Sequence, residues 1–278
     1  MLYASIRDLV KQTAGDGPLD PEAIATLFTD EQVQSILEMV QAEQEEERYG
    51  KFRNIFPDDT KVVGDTIYYA RDLYPKHVEF FAVGKDYMER CAMAANRVGK
   101  TFGMGGYEMA CHLTGDYPKW WPGRRFRHPI RAWACGKTNE TTRDIVQNVL
   151  LGDITFDGPR KVVDGSGMIP RERIGRGQGD LTWKQGVGDL VDTIKIRHIS
   201  GGWSKLGLKS YQQGRGSFEG VAQHVIWDDE EPPLDVWGEQ LLRLATTKGI
   251  MMLTFTPLEG ISEVVQQFLP AEMRPATN

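Results

Sequence analysis

The chain has 278 residues, 40% of them hydrophobic and 26% charged, with a formal net charge of −6. That is enough chain for a substantial buried core, and the acidic balance excludes a globally basic nucleic-acid coat. No window approaches the run of about 20 apolar residues that a membrane span needs, and MLYASIRDLVKQ at the start has no apolar signal core, so the sequence reads as cytosolic with no membrane partner.

The first 48 residues read as helices. GPLDPEAIATLF offers Asp20 as a cap and Pro21 at the first helical position. DEQVQSILEMVQAEQEEERYG keeps an apolar face at Val33, Ile36, Leu37 and Val40 before turning fully polar. Residues 1–50 carry eleven acids against three Lys and Arg, whereas WWPGRRFRHPIRAW (120–133) carries four arginines and no acid. A polyanion can therefore meet a local basic face on an acidic chain. Residues 51–75 form an irregular approach.

From about residue 78 the pattern alternates between strand and helix. Short apolar strands are predicted at 90–94, 131–135, 193–199, 223–228 and 249–255, with helices at 99–113, 139–151, 235–246 and 260–268. This order predicts a mostly parallel sheet covered on both faces. Residues 152–192, rich in Gly, Asp and Arg, read as an inserted loop or hairpin region on the surface. Cys91, Cys111 and Cys135 fit neither a disulfide framework nor a zinc site and read as reduced thiols, mostly buried.

Three signals carry chemistry. Ala94-Ala95-Asn96-Arg97-Val98-Gly99-Lys100-Thr101 matches the phosphate-binding loop except at its first glycine, where Ala94 stands. Gly99 permits the tight turn, Lys100 reaches the β and γ phosphates, and Thr101 opens a helix with its hydroxyl placed for Mg²⁺. Second, Val225-Ile226-Trp227-Asp228-Asp229-Glu230-Glu231 is an apolar strand ending in acids, suited to holding a metal and polarising water. The working pair is Asp228 with Asp229, or Asp229 with Glu230. Third, Leu253-Thr254-Phe255-Thr256-Pro257 ends another apolar strand with hydroxyls able to sense a γ-phosphate. Together they predict an α/β fold of the additional-strand P-loop NTPase type, with helices on both faces of the sheet and a helical segment before it.

ANRVGKT, VIWDDEEPP and LTFTPLEG resemble the ATPase domain of the large terminase subunit of tailed bacteriophages, over roughly residues 70–270. The resemblance implies an N-terminal helical, lid-like region over 1–75, an ATPase domain over 76–270, and the start of a linker at 271–278. It implies ATP with Mg²⁺ as cofactors, and ATP-driven translocation of double-stranded DNA into a procapsid. Its partners would be the portal and procapsid, the small terminase subunit, and further copies of the chain in a ring, acting in the host cytoplasm. Residues 94–101 would bind nucleotide. Thr101 and Asp229 would hold the metal, Glu230 would be the catalytic base, and Arg97 would stabilise the γ-phosphate. Thr254 and Thr256 would couple hydrolysis to movement. YPKHVEFFAVG resembles the adenine-recognition segment, with His77 where a glutamine is frequent. Arg215 is the candidate for an arginine acting on a neighbouring subunit. The family's nuclease domain has no counterpart here, so DNA cleavage is not expected of this chain. A helicase- or recombinase-like ATPase and an ATP-binding assembly protein without turnover are the alternatives. The loops WWPGRRFRHP and MIPRERIGRGQG are candidates for loose contact with a DNA backbone.

Overall fold

The computed structural model describes residues 29–258 and 260–274. The helix expected from Asp20 and Pro21 lies outside them. Helix α1, Asp30–Tyr49, starts where the acidic stretch was expected to. Thr29 caps it: its hydroxyl accepts from Gln32 N at 3.3 Å, and the Gln32 side chain accepts from Thr29 N at 2.9 Å. A small hairpin follows, β1 Lys61–Val63 and β2 Thr66–Tyr68, and then α2, Pro75–Val83, with proline in its first turn. No helix among the described residues is long and apolar enough to cross a membrane.

The remaining elements build a mixed α/β domain. Strand β3, Glu89–Met93, leads through a loop into α3, whose first turns Lys100–Gly106 are π-helical before the α-helical Tyr107–Thr114. Strand β4, Arg131–Gly136, leads into α4, which runs through Asn139–Thr141, a π-helical Thr142–Gln147 and Asn148–Leu151. A hairpin of β5, Ile154–Asp157, and β6, Arg160–Val163, comes next. The chain then forms β7 Leu181–Trp183, β8 Val191–Arg197 and β9 Trp203–Ser210. Strand β10, Val225–Asp229, precedes α5, Leu234–Ala245, and β11, Ile250–Phe255, precedes α6, Glu263–Phe268.

The seven-stranded sheet has the order β3-β11-β10-β4-β9-β8-β7. The first five strands are parallel; β8 pairs antiparallel with β9, and β7 antiparallel with β8. Strand β11 thus separates the loop-bearing β3 from the acid-bearing β10. The register brings Asp229 opposite Thr254, and Thr254 opposite Ala92, so all three signals end on one sheet edge. Alternation along each strand divides the core in two. Val225, Trp227, Ile250 and Met252 face one side, with Met109 and Leu113 of α3 and Leu150 of α4. Ile226, Met251 and Leu253 face the other, with Val236 and Leu244 of α5 and Val264 of α6.

Two expectations need correction. Strand β9 was not anticipated, because WSKLGLKS is too polar to read as a run. It is nevertheless a central strand with Ser204, Leu206, Leu208 and Ser210 fully buried. The insertion 152–192 is also not simply surface. Met168 and Ile169 are fully buried, and their backbone N–H groups donate to Val149 O and Leu150 O at 2.7 and 2.9 Å. Gly165 N donates to Leu151 O at 3.1 Å. The segment satisfies the last carbonyls of α4, which explains why a Gly-rich stretch is drawn inward. The three cysteines are free thiols, with Cys111 and Cys135 buried.

Candidate active site

The loop after β3 owes its shape to two left-handed residues, Arg97 with φ 64° and Gly99 with φ 82°. Gly99 O then accepts from Gly103 N at 2.7 Å, closing the first turn of α3. His77 sits beneath this turn. A Cβ on Gly99 would lie 3.1 Å from His77 Nε2, and one on Gly103 would meet the same ring at 3.1 Å. The ring packs at 5.6 Å from Phe56 and 5.3 Å from Tyr74, and burial lowers its pKa. His77 therefore supports the loop from below and is not among the residues lining the cavity above it.

The Lys100 ammonium is held by Ala94 O at 2.8 Å, Ala95 O at 2.6 Å and Thr256 Oγ1 at 3.0 Å. Burial lowers its pKa, opposed by the charge of Asp229. Thr256 Oγ1 also lies 2.9 Å from Ala94 O and 2.8 Å from Asn96 Oδ1, so its hydroxyl stitches the end of β11 to the loop.

Thr101 Oγ1 donates to Asp229 Oδ1 at 2.9 Å, and Thr254 Oγ1 donates to the same oxygen at 2.8 Å. Thr254 in turn accepts from Trp227 Nε1 at 2.8 Å. Trp227 is fixed by contact: a Cβ on Gly105 of α3 would stand 2.1 Å from its indole. Burial raises the Asp229 pKa to about 6, against the two hydroxyl bonds that lower it.

Asp228 points to the opposite face, as alternation requires. Its Oδ1 accepts from Gln240 Nε2 of α5 at 2.8 Å, and burial raises its pKa to about 7. The geometry thus places Asp229, and not Asp228, against Thr101. Glu230 adopts φ 90°, a conformation costing a side-chain-bearing residue on the order of 1–3 kcal/mol.

These groups surround a cavity of about 830 Å³ at the carboxyl edge of the parallel strands, within the size range of small-molecule sites. Arg97, Lys100, Thr101, Asp229, Glu230, Thr254 and Thr256 all line it. So do Lys137, Tyr211 and Gln212, to which the sequence reading gave no role, although LKSYQQGRGSFEGVAQ (208–223) also resembles a family element. Their position just beyond β4 and β9 marks them, and β9 itself was not expected.

The model for the N-terminal part of the T4-like type of terminase large subunit matches residues 91–277. The chain belongs to the terminase large-subunit family. It is 36% identical over 271 residues to the terminase large subunit of Salmonella phage P22, covering 90% of this chain and 49% of that protein. The chain thus spans about half the length of this curated relative. It is also similar to the large terminase of a thermophilic bacteriophage, at 12% identity and a TM-score of 0.46, over 66% of this chain and 39% of that one. The ADP complex of that same thermophilic-phage terminase matches at 14% identity and a TM-score of 0.39, over 65% and 37%.

Arg215 does not line the cavity of its own chain. Its guanidinium donates to Glu239 Oε2 of α5 at 3.1 and 3.2 Å, and Arg243 binds the other oxygen of that carboxylate at 2.8 Å. The basic loop at 120–129 is half core: Trp121 and Phe126 are buried, while Arg124 and Arg125 stack on Phe126 and Tyr117. Its arginines are exposed or half-exposed around that apolar anchor.

Proposed function

We propose that this terminase chain binds ATP with Mg²⁺ in the cavity and hydrolyses it, with the fold of an additional-strand P-loop NTPase. The observation that carries the reading is the convergence of Thr101 and Thr254 on one oxygen of Asp229, beside Lys100 and Glu230. One hydroxyl and one carboxylate suit Mg²⁺, which keeps several waters and takes its remaining ligands from phosphate oxygens. They also agree with the absence, among the described residues, of any cluster of three or more His, Cys, Asp or Glu that could hold a metal alone. Bound there, Mg²⁺ would neutralise charge developing on the phosphates.

The chain's own groups then have distinct tasks. Backbone N–H groups of the loop from Ala95 to Val98, together with Gly99 and the start of α3, cradle phosphate oxygens, while Ala94 N–H stays paired with Phe255 O. Lys100 exchanges the Ala94 and Ala95 carbonyls for the β and γ phosphates. Arg97, exposed at the mouth of the cavity, stabilises charge on the γ-phosphate. Glu230 orients the attacking water and accepts its proton. When a phosphate takes the protons of Lys100, Thr256 loses the donor it now has, and this supports a coupling role for Thr256. Thr254 keeps Asp229 aimed at the loop. Arg215 serves the site of a neighbouring copy in a ring.

The larger activity, translocation of double-stranded DNA into a procapsid with the portal and small subunit as partners, is proposed on family membership. So is the division into a helical region over 1–75, an ATPase domain over 76–270 and a linker from 271. The test is Glu230→Gln in single-turnover phosphate release and nucleotide binding. The variant is expected to bind ATP as the parent does and to lose at least a hundredfold in rate, the order expected of a lost general base. Parent-like release would refute the assignment of Glu230. Lys100→Ala is expected to lose ATP binding, and retained affinity would refute the site.

A further inference from the structure

Asp229 and Glu230 both line the cavity, although neighbours in a strand face opposite sides of a sheet. Asp229 faces α3 through Thr101, and Asp228 faces α5 through Gln240. Continued alternation would send Glu230 toward α5 as well. The φ of 90° at Glu230 is what breaks the alternation and turns its carboxylate to the same side as Asp229. A residue with a Cβ keeps such a conformation only where its surroundings over-determine it.

Two hydrogen bonds hold this peptide. Glu230 N donates to Thr254 O at 3.2 Å, extending the β10–β11 ladder by one rung. Glu230 O accepts from Tyr211 Oη at 2.9 Å. Tyr211 is the first residue after β9, and its ring is buried in the apolar layer with Trp133, Cys135 and Phe218. Its turn is tied down in its own right. Ser210 Oγ donates to Asn139 Oδ1 at 2.8 Å, and Gln213 Nε2 donates to the same oxygen at 3.2 Å. A rigid phenol thus reaches from the turn after β9 to the carbonyl of Glu230. The Glu230 side chain itself has little to hold it: its Oε2 is buried without a hydrogen-bond partner in the protein.

We propose that Tyr211 is a positioning residue for the reaction: its phenol holds the Glu230 carbonyl and so keeps the turned peptide that aims this carboxylate into the cavity. The inference rests on the reading of Glu230 as the group that activates water. It requires no contact between Tyr211 and substrate, because the effect is transmitted through one peptide group.

The test is Tyr211→Phe, alone and combined with Glu230→Gln, in the full chain. Loss of one hydrogen bond that orients a catalytic group is expected to lower the single-turnover rate about tenfold. ATP affinity, read with a fluorescent ATP analogue, is expected to stay within about twofold, because the loop and Asp229 are untouched. The double variant is expected to be no slower than Glu230→Gln alone, since Tyr211 acts only through that side chain. A merely structural role would slow both backgrounds equally or weaken binding, and either result overturns the proposal. A parent-like rate for Tyr211→Phe, with Glu230→Gln inactive, overturns it while sparing the assignment of Glu230. Retained activity in Glu230→Gln would instead sink the underlying reading. If Tyr211→Phe does not fold, 3-fluorotyrosine at 211, which keeps both ring and hydroxyl, replaces it. That form must retain the parent rate, and a tenfold loss with it overturns the proposal.

Discussion

Two glycine-to-alanine substitutions should change stability in opposite directions. Gly105, in the first turns of α3, would place a Cβ 2.1 Å from the Trp227 indole, far inside contact distance. Neither partner can yield easily, because Trp227 is fully buried and its Nε1 is committed to Thr254. Overpacking of this kind costs about 1–3 kcal/mol. Displacing the indole would also lose a buried hydrogen bond worth about 1 kcal/mol. The gain from replacing glycine in a helix is about 1 kcal/mol. The net effect of Gly105→Ala is therefore a loss of about 2 kcal/mol, a fall in Tm of roughly 4–8 °C for a domain of this size. Gly238 in α5 has nothing within 4 Å of an added Cβ and no left-handed φ. Gly238→Ala should accordingly raise Tm by roughly 2–3 °C, since helix propensity acts there alone. Scanning calorimetry of both variants beside the parent decides the matter. A Gly105→Ala variant as stable as the parent would refute the close packing of α3 on Trp227, and with it the account of how Thr254 and Asp229 are held.

Glu108 is fully buried between Arg90 and His112, and burial works against its charge but is outweighed by those partners. Glu108→Leu should cost about 3–5 kcal/mol in urea unfolding, and adding Arg90→Met should recover much of it, because the penalty is an unpaired buried charge. Asp164 accepts from Ser166 N and Oγ, Asp153 N and Arg48; burial opposes its charge, but these bonds prevail and lower its pKa. Its contribution is thus complete above its unfolded pKa of about 4 and is lost as pH falls through the lower folded value, so the stability gap between parent and Asp164→Asn should narrow below about pH 4. Asp228 has the opposite sign. Its folded pKa is raised to about 7 by burial, so the folded state holds the proton more tightly and stability falls as pH rises toward 7. Asp228→Asn should be more stable than the parent at pH 8, with the difference closing toward pH 5; a constant difference across that range would refute the shift.

The legibility of the sequence followed the range of the interactions involved. GKT after an apolar strand, and acids after another, could be read because a phosphate loop and a strand end are local conformations with few residue types that fit. Strands β4, β10 and β11 were legible because nearly all their residues are buried on both faces, so their apolar runs are almost continuous; β3, an edge strand buried only at Arg90, was read from the short apolar run CAMA. Strand β9 escaped because its buried positions include Ser204 and Ser210, whose hydroxyls donate to or accept from distant groups, Ile130 N and Asn139. Nothing within β9 itself signals those partners. The inward path of residues 162–170 escaped likewise, since its reason is the last carbonyls of α4, which the segment's own N–H groups satisfy.

What the sequence determined by itself is the kind of chemistry and the order of its parts: a loop able to bind phosphate, a strand ending in acids, a strand ending in hydroxyls. Each is a short segment whose backbone needs are met by adjacent residues. The tertiary structure alone decided which acid faces the loop, that Trp227 and Thr254 hold it there, and that Tyr211 reaches Glu230 from the turn after β9. Strand order, with β11 between β3 and β10, brings Thr254 beside Asp229 from 25 positions along the chain. Side-chain direction at the end of β10 depends on a φ that no residue type at 230 announces. It is held by bonds from the turn after β9 and from β11, and these exist only once the sheet has closed.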